Sequence, residues 1–209
     1  MLKWIVRWRI TEPPSAARQV RETEMLTALR SLLFVAAGGV TLALAAPSGL
    51  ADSPYGRPIY NPATKSYFEL RIGKETRGGL YWQEAQTLAT ELVYKGVPGR
   101  LAVIPDAETH SFLARNFDID AEAWIGLRYW CTFRKLQWVT GDILESGAFG
   151  AWANPWHRTD LPPCESASTL TTGYMPVYYR PKSRGFRWQA VGSAKGFPRY
   201  FVEYPTGHE

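Results

Sequence analysis

Between residue 128 and about residue 170 the periodicities of helix and strand dissolve into aromatic, Gly- and Pro-rich sequence. Four tryptophans, Trp130, Trp138, Trp152 and Trp156, stand in that stretch. Large aromatic side chains can fill a core that has little regular structure around it. The stretch therefore reads as a packed loop region carried on a scaffold of regular elements, which must come from the sequence on either side.

Upstream, Tyr67-Phe68-Glu69-Leu70-Arg71-Ile72 puts Phe68, Leu70 and Ile72 on one face and charges on the other, the alternation of a half-buried strand. Residues 73–79 are turn-rich. Trp82, Ala85, Leu88, Ala89 and Leu92 recur at helical spacing, predicting an amphipathic helix over about 81–95 with Gly96 as its C-cap. Leu101–Ile104 is a short strand-like run. Asp106 reads as the N-cap of a second helix whose apolar side is Phe112, Leu113 and Phe117. Ala123–Leu127 reads as a buried strand. Downstream, strand character returns at Val177–Tyr179, Phe186–Ala190 and Arg199–Tyr204. Helices early, an irregular region late and strands at both ends make an α+β fold.

Composition places the chain among folded globular proteins, with 45% hydrophobic and 21% charged residues in 209. The net charge of +5 is concentrated at the front. Six Lys/Arg and three Asp/Glu precede residue 52, leaving 18 basic and 16 acidic residues, or +2, for the rest. That weakens any global argument for nucleic acid, which is not an expected partner.

Residues 32–46, LLFVAAGGVTLALAA, are uncharged and mostly apolar. As a helix they would reach ~22 Å against a hydrocarbon core of ~30 Å. Arg30 precedes them, and small-x-small sites follow at Ala43-Leu44-Ala45 and Gly49-Leu50-Ala51. This is the pattern of a secretory signal peptide, so an exported protein is expected: periplasmic, secreted or at the cell surface. The expected division is an upstream leader over 1–24, which lies before a natural start at Met25; a signal peptide over 25–51; a linker over 52–66; and one domain over 67–205. A long leader or an uncleaved anchor is the alternative, and only that anchor would bring the chain to a membrane.

Several segments resemble C-type lectin domains. Trp82-Gln83-Glu84-Ala85 resembles the W-x-E-A start of that family's first helix. Gly99-Arg100-Leu101-Ala102-Val103-Ile104, with Ala107-Glu108 and Phe112-Leu113, resembles its G-x-L-A-x-I…E…F-L segment. Trp124-Ile125-Gly126-Leu127 matches the WIGL core strand, and Gln137–Asp142 resembles the stretch opening the long loop. Trp152, Asn154-Pro155 and Cys164 lie where the family has N-W…E-P-N…C. Trp188 falls at the W-N-D position, and Tyr200-Phe201-Val202-Glu203 resembles the closing F-I-C-E strand. The resemblance implies a C-type-lectin-like fold of two helices on small antiparallel sheets, with its end strands as neighbours and ligands carried on the loops.

The family's calcium site is not matched. E-P-N corresponds to Asn154-Pro155-Trp156 and W-N-D to Trp188-Gln189-Ala190, so the carboxylates are replaced. Calcium wants six to eight oxygens, including carboxylates. No cofactor is expected, calcium included. Pro155 would be the family's cis proline. The family's partner for Cys164 is also missing, and Val202 stands where the closing strand has Cys. Export permits a Cys131–Cys164 disulfide; the alternative is two separate buried thiols.

Two ligand surfaces remain as candidates. One is aromatic: Trp130, Trp152, Trp156, Tyr174, Tyr178 and Tyr179 either stack on sugars or pack the loop, with Trp156 the residue expected to be exposed. The other is basic: residues 166–202 hold Arg180, Lys182, Arg184, Arg187, Lys195 and Arg199 and no acid. They either favour an anionic partner or are balanced by acids from elsewhere. The candidate ligand-binding residues are Asn154, Trp156, Asp160, Gln189, Arg184 and Arg187. No catalytic motif is found, so no catalytic residue is named and the chain is read as a non-enzyme. The expected function is calcium-independent carbohydrate binding, with a glycan or anionic polysaccharide as partner. The alternative is a protein–protein module, adhesin-like or inhibitory, that meets a surface protein.

Overall fold

The computed structural model describes residues 56–73, 78–154, 164 and 172–209. The leader and signal segment lie outside them. In chain order the elements are β1 (Ile59–Asn61), β2 (Ser66–Ile72), β3 (Leu80–Tyr81), α1 (Trp82–Glu91), β4 (Val93–Tyr94), β5 (Val97–Pro98), β6 (Arg100–Leu101), α2 (Ala107–Asn116), β7 (Ala123–Trp130), β8 (Lys135–Trp138), β9 (Tyr174–Tyr179), a 3-10 turn (Lys182–Arg184), β10 (Trp188–Ala190), β11 (Gly196–Phe197) and β12 (Arg199–Tyr204). The main sheet runs β1-β2-β12-β7-β9-β10; β6 also pairs with β12, and β8 with β7. β2 and β12, the first long strand and the last, pair antiparallel from Tyr67↔Tyr204 to Ile72↔Arg199. The expected α+β, C-type-lectin-like arrangement is therefore present: neighbouring end strands, two early helices and a late loop region.

Two apolar clusters cover the sheet on opposite faces, and side-chain alternation assigns each strand residue to one of them. On β12, Phe201 enters the α2 cluster with Phe68, Leu70, Phe112 and Leu113, while Tyr200, Val202 and Tyr204 enter the α1 cluster with Trp82, Ala85 and Ala89. On β7, Ile125 and Leu127 face the first cluster and Trp124 the second. This double coverage corrects the half-buried reading of the first strand. Ser66 to Leu70 are all buried, and Ile72, expected inside, is 39% exposed. The alternation survives, but its charged side is roofed. Glu69 is 3% exposed, accepts a hydrogen bond from the Tyr204 hydroxyl at 2.8 Å and pairs with Arg71 Nε at 2.8 Å.

The helix motifs have structural causes. Glu84 Oε2 accepts the Tyr81 N–H at 2.8 Å, closing the first turn of α1. Two indoles then tie that end of α1 to β7 reciprocally: Trp82 Nε1 donates to Ile125 O at 2.7 Å, and Trp124 Nε1 to Leu80 O at 2.6 Å. Asp106 caps α2 as expected, accepting from Thr109 N at 2.7 Å. Gly126 sits where strands nearly touch, since a Cβ there would lie 2.6 Å from Leu101 O.

Several boundaries differ from expectation: β6 is only Arg100–Leu101 of the run read to Ile104, and β10 is only Trp188–Ala190 of the run read from Phe186. α1 stops at Glu91 instead of 95. The chain turns back as a β4–β5 hairpin through Lys95 and Gly96, both at positive φ, so Gly96 serves that turn rather than a helix end. Ile59–Asn61, inside the segment read as a linker, pairs with Ser66–Phe68 as β1. The irregular region begins later than residue 128, because β7 runs to Trp130 and folds back on β8 from Trp130↔Lys135 to Leu127↔Trp138. Cys131, just after β7, is bonded to Cys164, with Cα atoms 5.8 Å apart. Among the described residues no helix is long and apolar enough to cross a membrane.

Candidate functional site

Trp188 organises the corner where the loop region meets the sheet. It is fully buried. The rings of Trp138, Trp152, Phe149 and Tyr179 stand edge-on around it, with centroids 5.5–6.1 Å away. Such T-shaped contacts put ring edges against π faces, the favourable electrostatic arrangement. The backbone repeats the packing. Trp188 N–H donates to Ala151 O at 2.7 Å and Ala153 N–H to Trp188 O at 2.9 Å, a parallel bridge between Trp152 and Trp188.

That bridge carries Asn154 alongside the Trp188–Ala190 strand. Asn154 is exposed. Gln189 is exposed too, and its Oε1 accepts from the Tyr178 hydroxyl at 3.0 Å, which leaves the amide NH2 as the free donor. Trp156 and Asp160, the other two candidate residues of this loop, lie outside the described residues, as do Pro155 and His157.

The basic segment does not act as one surface. Three acids in the connection between α2 and β7 answer three of its six cations: Asp118 meets Lys182 at 3.6 Å, Glu122 pairs with Arg184, and Asp120 pairs with Arg199. The balancing acids come from a segment some sixty residues upstream, as the alternative reading held. Arg184 is thus engaged. Arg187 is exposed and has no ion pair among the described residues. It lies across the β9–β10 hairpin from Arg180, whose N–H donates to Arg187 O at 2.8 Å. Like charges placed opposite each other across strands repel.

Most of the aromatic candidates are core. Tyr174, Tyr178, Tyr179 and Trp152 are buried, and Trp130 is partly buried with its Nε1 donating to Gln137 Oε1 at 2.7 Å. They pack the loop rather than offer sugar-stacking faces. Tyr179 is fully buried, and loss of solvent pushes its hydroxyl pKa far up. Its oxygen lies 2.8 Å from His110 Nδ1, a relationship that nothing in the sequence around His110 signals. Burial, with Arg187 nearby, lowers His110 to about 4.

Among the described residues no group of three or more His, Cys, Asp or Glu side chains lies together. The two amides at the corner are neutral, and one oxygen is already taken. A corner of this kind suits hydroxyl groups through Asn154 and Gln189, and an anionic group through Arg187.

No protein-family model and no curated protein matches the sequence. Solved structures are similar in fold. The cow C-type carbohydrate-recognition domain of CD23, solved in the presence of a GlcNAc2Man3 oligosaccharide, is 18% identical at a TM-score of 0.46, covering 66% of this chain and 87% of its own. The C-type lectin CEL-I from Cucumaria echinata is 16% identical at 0.44, covering 66% and 89%. CEL-IV is 17% identical at 0.48, covering 73% and 96%. The likeness is one of fold.

Proposed function

We propose that the chain is an exported carbohydrate-binding protein that works without calcium and without catalysis, with its ligand at the corner formed by Asn154, Gln189 and Arg187. The observation behind this reading is the Trp152–Trp188 bridge, which brings the chain leading to exposed Asn154 alongside the strand that carries exposed Gln189 and, two residues before it, exposed Arg187. Amides exchange hydrogen bonds with sugar hydroxyls in both directions, and Arg187 adds a fork for a carboxylate or sulfate. Trp156 and Asp160 belong to the same proposed site by their place in the loop. Arg184, named with them from the sequence, could reach a ligand only by giving up Glu122.

A glycan array run with and without chelator tests this. Binding indifferent to chelator, and weakened tenfold or more in Asn154→Ala and Arg187→Ala, is the expected result. Loss of binding on chelation overturns calcium independence. Silence across neutral and acidic glycans overturns the carbohydrate reading in favour of the protein–protein alternative. Binding that fades near ~0.5 M salt, where the Debye length is a few ångströms, assigns the contact to Arg187 rather than to the amides.

A further inference from the structure

The described cations differ in their partners. Arg71, Arg100, Lys182, Arg184 and Arg199 each meet a carboxylate. Arg134 and Lys135, adjacent at the start of β8, form no ion pair among the described residues. Yet an acid is close by. Both cations line a cleft of about 170 Å³ that Glu145 and Ser146 also line, over a floor of Leu136, Ile143, Leu144 and Ala148.

Arg134, Lys135 and Glu145 are all exposed and share this cleft without an ion pair among them. Here the backbone holds their segments in place. β8 is paired to β7 along one edge. Along the other, Leu144 N–H donates to Leu136 O and Trp138 N–H to Asp142 O, both at 2.9 Å, with a bridge between Gln137 and Ile143. Ala148 N–H donates to Glu145 O at 3.1 Å and closes the turn beyond. The result is a slot with cations at one lip, an acceptor and a hydroxyl at the other, and an apolar floor.

We propose that this cleft binds one acidic sugar residue of the uronic-acid type, as a second saccharide site. It extends the glycan-binding reading above to acidic glycans and shares no residue with the Asn154–Gln189 corner. The sugar's carboxylate meets Arg134 and Lys135, a charge-assisted contact. Its hydroxyls donate to Glu145 and exchange hydrogen bonds with Ser146. Its C–H face lies on Leu136 and Ile143. The volume is below the roughly 300–1,000 Å³ of pockets that enclose drug-sized ligands, which limits the occupant to about one ring. The rim is exposed and the neighbouring Phe133 is 70% exposed, so a polysaccharide can pass through and leave a single residue in the slot.

The test is amide-resolved NMR on the disulfide-bonded protein, titrated with trigalacturonic acid and, as a neutral control, maltotriose. Trigalacturonic acid is expected to shift amides of 134–136 and 143–148, and maltotriose is not. Arg134→Ala with Lys135→Ala should weaken trigalacturonate binding tenfold or more with an unchanged thermal midpoint, and Glu145→Gln severalfold. Both lips are exposed, so these variants fold. No shifts at these amides, equal shifts with maltotriose, or full binding by the double variant each overturn the proposal. Binding lost in Asn154→Ala or Arg187→Ala but kept in the double variant overturns it as well, while leaving the corner site standing.

Discussion

Glu203 grips Arg100 with both carboxylate oxygens: Arg100 Nε donates to Oε2 at 3.0 Å and Nη2 to Oε1 at 3.1 Å. Ser66 Oγ and the Val103 N–H donate to the same carboxylate at 2.9 and 3.1 Å. Glu203 therefore ties β12 to β2, to β6 and to the chain entering α2, at 2% exposure. Glu203→Gln keeps the shape but turns one acceptor into a donor facing donors. Hydrogen bonds to charged groups contribute roughly 1.5–3 kcal/mol each, and Arg100, partly exposed, regains water. The expected loss is about 2 kcal/mol, read as a lower urea midpoint at unchanged slope.

Burial depresses His110 from 6.5 to about 4 in the folded protein. The unfolded chain then binds more protons between those values, so stability is fully present above pH 6.5 and falls as pH drops toward 4. Denaturation curves at pH 7 and pH 4.5 should show this loss. His110→Gln, which can still bond the Tyr179 hydroxyl, should reduce the difference. An unchanged pH slope in the variant would show that carboxylates elsewhere cause it.

Gly126 tolerates no side chain. An alanine Cβ there meets Leu101 O at 2.6 Å and Val139 Cγ2 at 2.9 Å. The obstacle is backbone, so β6 and β7 must separate, at about 1–3 kcal/mol as for other overpacked sites. Gly126→Ala should lower the thermal midpoint by several degrees and lose protection of the amide at position 126, whose N–H donates to Ala102 O at 2.9 Å.

The Cys131–Cys164 bond closes a separation of 33 residues that contains Trp138, Trp152 and Asn154. Loop-closure entropy gives it about 3–4 kcal/mol. Intact mass under non-reducing alkylation should show no free thiol. Cys131→Ser with Cys164→Ser should lower stability by that order and weaken ligand binding at Asn154 more than at Arg134, which is anchored by the β7–β8 ladder.

The scaffold was legible because its signals are local. Asp106 announces a helix start, and the apolar spacings of α1 and α2 announce their buried faces. The β7–β8 hairpin was missed although Lys135-Leu136-Gln137-Trp138 alternates polar and apolar, because the run is only four residues long and its partner β7 is buried on both faces from Ala123 to Leu127. The tyrosines of β9 read as possible ligand platforms because one sequence cannot show that both faces of a strand are covered. The pairing of Asp118, Asp120 and Glu122 with the distant basic segment depends on sheet order, which no local pattern contains. The same holds for the slot at Arg134 and Glu145, whose lips are made by different segments.

The antiparallel register of β2 against β12 has a mechanical consequence. Its first rung, Tyr67↔Tyr204, lies where β2 begins after the β1 turn and where β12 ends, and Gly207 N–H still donates to Lys65 O at 2.9 Å just outside it. A load applied between Lys65 and Gly207 would open this ladder like a zipper, one rung at a time, instead of shearing all six rungs together. A force ramp between attachment points at those two residues should show a weak first rupture there. Held by one end only, the same protein transmits no tension across that seam, and its sheet stays closed while a captured polymer pulls on the loops.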